Sequence, residues 1–576
     1  MRAKMSSEQR RYRLAGIFFI FCFGLCILLV RLFFLWYWYS LTCSALSEKN
    51  YTKFSVVKPI RGSLVDVQGR PLATNEMLFD LYWSLLEEKQ YQKQDYEREV
   101  EKLISLGVEQ INVAQLIKAG EQKQKLLLQS NLSFEHFLSL SEKIAGMKNI
   151  HVVPRTERVY PYRSMASHLL GYVQKKEEEF EGVSGLERIL QTELEGVPGQ
   201  KKQHVNARGR VMREEQTEQA RSGKEVRLTI DLDLQKIVEQ VFTQEQTGAV
   251  VIVDPYDGAI KALVSYPNFD PNRFLHPLSP EEWESDFQQQ SPLLNRATQG
   301  LYPAASLFKL VTFAAGLEEG LITTDTLFEC KGHHTYCGRK YYCQRYWGHG
   351  VLNAQDALAY SCNIPCYLIA EELDIDVLAW YAREMGLGSK TGLFLPERSG
   401  LMPTKAWKQA VKQESWWRGE TLSASIGQSF IMVTPLQVAC MLGAIFTGYR
   451  VRPRILVEEP IEKYPTVLSD ATRFFLQESM ALGVQKGTSR RLSFYNQFTI
   501  FAKTGTAQVS NLRTKKEKCM RSQFEHGWSA LYFSYKNQDP YVLVVLVEHA
   551  GSARVAVEVA QKILRHYGEA MTVQKA

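Results

Sequence analysis

Water cannot hold the first long run of this chain. From Leu14 to Val30 no residue is charged, and after Arg31 the run Leu32 to Tyr39 continues apolar and aromatic. A bilayer span needs about 20 residues, so this stretch with its flanks is long enough to cross one. Arg2, Lys4, Arg10, Arg11 and Arg13 precede it, which predicts a cytoplasmic N-terminus, and Trp36, Tyr37, Trp38 and Tyr39 suit the outer interface. A cleaved leader is the competing reading, but no clear small-x-small site follows the run. No later run approaches this length, so the remainder is expected outside the cytoplasm. The expected organisation is a cytoplasmic tail at 1–13, a transmembrane helix at 14–39, a pedestal at 40–225 and a second domain at 226–576.

The length of 576 residues allows two to four domains. With 45% hydrophobic and 23% charged residues, the chain is globular rather than disordered. A net charge of +7, without a basic stripe carrying interleaved aromatics, argues against a nucleic-acid partner.

In the pedestal, Ile60 to Asn75 reads as strand, turn at Gln68-Gly69, strand. Residues 85–148 carry helical periodicity, and 175–181 form a solvated charge run. From residue 226 the texture changes. Strands are expected in EVRLTID, GAVVIVDP and GAIKALVSY, with a helix in LDLQKIVEQVF. Helical segments are expected from 305 to 445, then strands in QFTIFAKTGTAQ, GWSALYFSY and YVLVVLVEHA, and a closing helix from Val555 to Tyr567. Strands at both ends of a helical middle predict an α+β domain whose sheet joins both ends of its chain.

Three short elements inside that domain carry chemistry, in order: Ser306-Leu307-Phe308-Lys309, Ser361-Cys362-Asn363 and Lys503-Thr504-Gly505-Thr506. A serine hydroxyl is a weak nucleophile and needs a base. Residues three apart on a helix share a face, so Lys309 reaches Ser306. A lysine that is desolvated and near another cation loses proton affinity and can act as that base. Ser361 can relay a proton, Asn363 can orient a substrate amide, and Lys503 offers charge to a substrate carboxylate. The amides of Ser306 and Thr506 form an oxyanion hole if their two elements lie side by side.

Single elements of this kind are weak. Ser-x-x-Lys is expected about twice by chance in this length, and it recurs at Ser55–Lys58, which reads as strand. Lys-Thr-Gly recurs at Lys390–Gly392, in loop-like sequence. The ordered trio in fitting secondary structure is what carries the reading.

The trio resembles the signature of penicillin-binding proteins and serine β-lactamases. The stretches RGSLVDVQGRPLA, RVYPYRSMASHLLGYV, GVSGLERILQTELEGVPGQ, GAVVIVDPYDGAIKALVSYPNFDPNRF, SIGQSFIMVTPLQVA, GTSRR, HGW and VLVVLVEH extend the resemblance to class B penicillin-binding proteins over roughly residues 15 to 567. It implies a membrane helix, a mixed α/β pedestal and a C-terminal transpeptidase domain built as an antiparallel sheet with helices. It also implies a peptidoglycan D,D-transpeptidase: Ser306 attacks the D-Ala-D-Ala bond of a stem peptide, an amine of a neighbouring stem resolves the acyl-enzyme, and β-lactams acylate the same serine. Glu397, in LPERSG, is the nearest candidate for the deacylating carboxylate that the alternative, a β-lactamase or β-lactam sensor on the same fold, would need. A scaffold with a dead site is a further alternative. The family usually has Pro-Pro-Gly before the nucleophile, Gly before Lys-Thr-Gly, and His-Ala-Trp-Phe. Here these are Pro303-Ala304-Ala305, Ala502 and His526-Gly527-Trp528-Ser529.

Cys330, Cys343, His349 and Cys362 crowd around the second element. Either Cys330 and Cys343 form a disulfide beside a core thiol, or the four make a tetrahedral Cys3His zinc site. Cys337, His333, His334 and Cys366 are substitutes. The run HGVLNAQDALAYSCN resembles elongation-type members more than septal ones, and some of those elongation-type members carry zinc ligands at matching positions. The chemistry itself needs no cofactor. The implied location is the inner membrane, with the catalytic domain periplasmic. The implied partners are a polytopic peptidoglycan glycosyltransferase and elongation-complex proteins.

Overall fold

The computed structural model describes residues 7–40, 44, 46, 51–85, 91–105, 111–122, 124–147, 149–176, 179–206, 211–494, 496–508, 524–536 and 538–573. Arg2 and Lys4 of the basic leader lie outside these.

Two compact units emerge, Met1–Ile60 with Glu195–Gly223, and Arg61–Leu194 with Lys224–Ala576. In the first, a helix runs from Ser7 through Phe34 and on to Tyr39, its apolar side chains exposed. Arg10–Tyr39 is long and apolar enough to cross a membrane. The same unit holds a three-stranded antiparallel sheet, Thr52–Val57 against Gly199–Val205 against Val211–Glu218. Ser55 thus lies on a strand, and its Ser-x-x-Lys match is a decoy.

The second unit begins with the expected strand and turn: Leu64–Val65 returns through Gly69 to the long strand Pro71–Trp83. The latter pairs with Leu126–Leu132 and Ile150–Val159. The helices Lys93–Ser105, Val113–Glu121 and Phe134–Ile144 supply the expected periodicity. The charge run at 175–181 falls on a hairpin, Val173–Lys176 with Glu179–Gly182.

A buried ionic hub ties this region together. The Glu187 carboxylate, fully buried, accepts from Arg61 Nε (2.8 Å), Arg158 Nε (2.7 Å) and Tyr160 Oη (3.2 Å). The two guanidinium groups also reach backbone carbonyls, Arg158 to Gly62 (2.7 Å) and Arg61 to Glu187 itself (2.9 Å). At Tyr160 of the hub, the backbone exchanges two hydrogen bonds with the Asn272 side chain, and six residues on Ala166 N donates to Glu239. Within this second unit, residues 61–194 and the segments that follow residue 224 therefore form one packed body.

That sheet has five antiparallel strands in the order Ile260–Tyr266, Gly248–Val253, Tyr541–Val547, His526–Tyr535, Phe498–Ala507. It joins the two ends of the domain, as expected for an α+β fold. Its central strands are apolar on both faces. Ala249, Val251, Val544 and Leu546 enter one core, while Val250, Ile252, Leu543 and Val545 enter the other. This explains their unbroken Val/Ile/Leu runs. The closing helix, Ala553–Val573, covers the second face. Pro435–Thr447, with a Thr434–Gln437 capping box, packs in the first.

One expectation needs correcting. Residues 305–445 are not helical throughout. Leu327–Cys330 pairs with Gly350–Asn353, and His333–Tyr336 pairs with Arg339–Tyr342. The second hairpin turns at Cys337-Gly338, with φ of 47° and 75°. Two consecutive left-handed residues make the turn whose twist matches a tight hairpin.

Glu187→Gln keeps the hub's volume but strands two buried guanidinium groups. Breaking a buried pair in this way costs about 3–5 kcal/mol. A clear fall in the melting midpoint of the detergent-solubilised protein is expected, and an unchanged midpoint would remove the hub from the account.

Candidate active site

The three sequence elements converge. Ser306 sits in the tight turn Ala305–Leu307, directly before the helix Lys309–Glu318. Lys503 to Thr506 lie on the edge strand Phe498–Ala507. A Cβ placed on Gly505 would sit 3.4 Å from Leu307 Cγ and 3.5 Å from Ala304 O. The strand therefore abuts the turn, as the oxyanion-hole expectation requires. Trp528, opposite Gly505 in the sheet, donates from Nε1 to Pro303 O (3.1 Å) and fixes the turn from below.

Lys309 is fully buried. Its Nζ donates to Ser361 O (2.6 Å), Ser361 Oγ (3.2 Å) and Asn363 Oδ1 (2.6 Å). Lys503 Nζ donates to the same Ser361 Oγ (2.9 Å) and to Thr504 O (3.1 Å). One hydroxyl thus stands between two buried lysines. Burial holds Lys309 below the ordinary lysine pKa. Burial, then repulsion from Lys309, holds Lys503 well below it. Ser361 occupies a left-handed conformation (φ 57°), which a serine adopts only when its surroundings impose it.

Asn363 uses its other end on the hairpin: Nδ2 donates to Tyr342 O (2.9 Å), which also accepts from Tyr367 Oη (3.1 Å). Thr504 Oγ1 donates to Thr488 Oγ1 (2.7 Å), in the GTSRR stretch. Thr506 Oγ1 accepts from Ala553 N (3.2 Å), at the start of the closing helix.

A supporting triad was missed by sequence reasoning. Tyr302 Oη donates to Glu548 Oε1 (2.7 Å), and Arg296 Nε to Glu548 Oε2 (3.1 Å). Burial alone would raise the Glu548 pKa, but Arg296 and the hydrogen bond from Tyr302 outweigh it. Tyr302 packs edge-on against His526 and Trp528, so this group anchors the chain leading into Ser306. The available signal was a glutamate ending the buried run VLVVLVEH.

The other candidates separate. Lys390, Thr391 and Gly392 lie in a loop lining a different cleft of about 580 Å³, with Arg450 and Arg452. Glu397 accepts from Thr391 N (3.0 Å), Thr391 Oγ1 (2.8 Å) and Gly392 N (2.8 Å). Its carboxylate closes that loop, so it is not free to activate a water at Ser306.

Cys330, Cys343, His349 and Cys362 converge as well, their ligand atoms all within 4.8 Å of one another. His349 Nδ1 lies 3.5 Å from Cys330 Sγ and 3.5 Å from Cys343 Sγ, and the Cys343 and Cys362 sulfurs are 3.8 Å apart. All three cysteines are free thiols. A zinc tetrahedron with Zn–S of about 2.3 Å and Zn–N of about 2.05 Å has S–S edges of about 3.8 Å and S–N edges of about 3.5 Å. The donor set fits that metal. Of the substitutes, His334 pairs with Glu371 (2.6 Å), Cys337 is exposed, and Cys366 is buried.

Ala305, where the family has glycine, holds φ at 50° while its N–H donates to Gly427 O (2.9 Å). A left-handed non-glycine residue costs roughly 1–2 kcal/mol, partly offset in a glycine variant by a freer unfolded chain. Ala305→Gly is therefore expected to raise the melting midpoint slightly. A lowered midpoint would show that the Cβ contributes packing that outweighs the strain.

With this geometry in view, the comparisons are specific. Residues 56–228 match the penicillin-binding protein dimerisation domain and 248–565 the penicillin-binding protein transpeptidase domain. The peptidoglycan D,D-transpeptidase MrdA of Salmonella typhimurium (strain SL1344) is 29% identical over 90% of this chain and 90% of its own. A solved chain from a peptidoglycan synthase complex that coordinates polymerization and crosslinking is 30% identical, covering 97% of this chain and 98% of that one, with a TM-score of 0.76. The Helicobacter pylori PBP2 solved in complex with MreC is 26% identical, covering 90% and 99%, with a TM-score of 0.75. A buried lysine–serine–lysine chain beside a tight-turn serine, on a fold shared with these proteins, places the chain in the penicillin-binding protein family, with a dimerisation domain preceding a transpeptidase domain as in the PBP2 relatives.

Proposed function

We propose that Ser306 is the nucleophile through which this peptidoglycan D,D-transpeptidase cross-links stem peptides, with Lys309 as its base. The observation that carries the reading is the Ser361 hydroxyl held between Lys309 and Lys503, with Lys309 opening the helix directly after the turn of Ser306. The strand Phe498–Ala507 is the sheet's edge. A stem peptide adds to it as a further strand, gaining backbone hydrogen bonds while its carbonyl carbon comes up to Ser306.

Ser306 Oγ attacks the carbonyl of the penultimate D-Ala as its proton passes to Lys309. Burial has already made Lys309 a weaker holder of its own proton, which favours the neutral amine that a base must present. The Ser306 and Thr506 amides receive the developing oxyanion. Ser361 passes the proton to the departing D-Ala amine. The C–N bond breaks and the acyl-enzyme remains. The acceptor amine then attacks the acyl carbon, the ester bond to Ser306 Oγ breaks, and the amine's proton returns to Ser306 along the same path, leaving the cross-link. Lys503, with Thr504, Gly505 and Thr506, meets the terminal carboxylate, whose charge favours the protonated form of Lys503 that burial opposes. Asn363 holds Lys309 in place and ties it to the Tyr342 carbonyl.

We assign zinc to Cys330, Cys343, His349 and Cys362, on the tetrahedral spacing of their ligand atoms. When bound it supplies a structural clamp rather than chemistry: thiolates are fixed on either side of Ser361-Cys362-Asn363. The helix Arg10–Tyr39 holds the chain in the inner membrane with its N-terminus cytoplasmic and the site periplasmic. The role is cell elongation and shape maintenance, in company with a polytopic glycosyltransferase and an MreC-like scaffold, by analogy with the partners of the PBP2 relatives.

Fluorescent penicillin should label the wild-type protein and fail to label Ser306→Ala, and labelled Ser306→Ala would end the assignment. Lys309→Met should slow acylation by about 10²–10⁴-fold, the usual worth of a general base. The base must be neutral and its pKa is lowered, so the acylation rate should rise with pH through a midpoint below the ordinary lysine value of 10.5. A rate flat across that range would point to another base. Native mass spectrometry should find one zinc per chain, lost in Cys343→Ser; a metal-free protein with a Cys330–Cys343 disulfide would overturn the zinc assignment.

A further inference from the structure

Between Cys343 and His349 the chain runs Gln344-Arg345-Tyr346-Trp347-Gly348. Both ends of this loop are fixed. Tyr342, just before it, accepts from Asn363 of the active site. Gln344 Nε2 donates to Tyr360 O (2.8 Å), the residue before Ser361. His349 N donates to Cys330 O (3.1 Å), and Gly348 N to Arg345 O (3.0 Å). The loop also packs tightly on its neighbour: a Cβ on Gly332 would overlap the Tyr346 carbonyl, and one on Gly348 would overlap that of Cys330. Both glycines have left-handed φ, 90° and 85°, so no other residue fits there without strain.

This rigid base presents two large aromatic side chains to water. Tyr346 is 79% exposed and Trp347 is 75% exposed. The Arg345 guanidinium lies 5.4 Å from the Trp347 ring centroid, which orients the indole as a cation–π contact does. The core does not use these rings, and leaving an indole in water forgoes most of the 150–250 Å² it could bury. Rigid aromatics lose little conformational entropy on binding, which makes them efficient anchors.

We propose that Trp347, with Tyr346, is a stacking platform for the glycan of the peptidoglycan strand whose stem peptide enters the site. The inference rests on the Ser306 reading above, which puts stem peptides beside Ser361. The loop adjoins the Ser361-Cys362-Asn363 element at Tyr342 and at Tyr360, which sets the pair beside the groups that handle the stem peptide. A sugar ring offers a face of C–H bonds with partial positive charge, which complements the negative face of an indole. Arg345 adds a cation for a carboxylate of the same strand. The platform thereby favours stems still attached to glycan over free peptides.

The test uses the full-length, detergent-solubilised protein and the variants Trp347→Ala and Trp347→Phe. The probes are glycan strands stripped of stem peptides, a synthetic stem pentapeptide, uncross-linked polymeric peptidoglycan and fluorescent penicillin. Peptide-free glycan should bind the wild type, and Trp347→Ala should weaken that binding tenfold or more. Cross-linking of the polymer should fall by a similar factor relative to penicillin acylation, mainly through KM, and Trp347→Phe should recover most of both. Unchanged glycan binding in Trp347→Ala, or none in the wild type, overturns the proposal and assigns the pair to a protein interface. A parallel fall in penicillin acylation overturns it too, since the loop would then support the catalytic groups. Glycan binding needs no chemistry, so a wild type that binds glycan but takes up no penicillin would sink the Ser306 reading and leave the platform standing.

Discussion

Everything around this site follows from placing two lysines in one dry space. Lys309 and Lys503 are both buried, and both reach the single hydroxyl of Ser361. Each disfavours the other's charge, and burial disfavours both. Such an arrangement relaxes unless the backbone forbids it. Here Lys309 is held by the helix it begins, Lys503 by the middle of a strand, and Ser361 by a left-handed conformation between two anchored neighbours. On the proposed reading a neutral Lys309 removes the repulsion, and a substrate carboxylate at Lys503 favours the charged form that burial opposes there.

That arrangement needs a rigid frame, and the sheet supplies it. Its central strands bury both faces and come from opposite ends of the domain, so their pairing brings residues 248–266 beside 498–547. The turn that carries Ser306 is then pinned at three points: by Trp528 at Pro303, by Gly427 at Ala305, and by the Tyr302–Glu548–Arg296 triad. None of these touches the reacting atoms. Together they fix where Ser306 stands relative to the edge strand, and small displacements there are expensive in rate.

Much of this was legible in the sequence where chemistry and periodicity coincide. The apolar run, the two-faced strands and the order of the three elements each rest on local patterns. Ser55 and Lys390 could be set aside because strand and loop sequence surround them. The hairpins at 327–353 were not legible, since they are short and their register depends on left-handed turns at Cys337-Gly338 and on close backbone contacts at Gly332 and Gly348. Those contacts are long-range and leave only glycines behind. The Tyr302–Glu548–Arg296 triad spans most of the domain in sequence, so no spacing rule could assemble it. Glu397, the nearest-looking carboxylate, sits in a loop motif in the sequence, and the structure shows that loop's own amides occupying it.

The cysteine–histidine cluster adds a constraint that the trio alone lacks. Asn363 must hold Lys309 on one side and the Tyr342 carbonyl on the other, yet Tyr342 belongs to a small hairpin with little core of its own. A two-stranded hairpin is marginal in water. Cys343, one residue on, adds an anchor: its sulfur lies 3.8 Å from that of Cys362, between Ser361 and Asn363. With the four cysteine and histidine atoms within 4.8 Å of one another, the hairpin, the adjoining loop and the Ser-Cys-Asn element meet at one point. The placement of Asn363, and through it of Lys309, thereby draws on sulfur and imidazole side chains as well as on the three sequence elements.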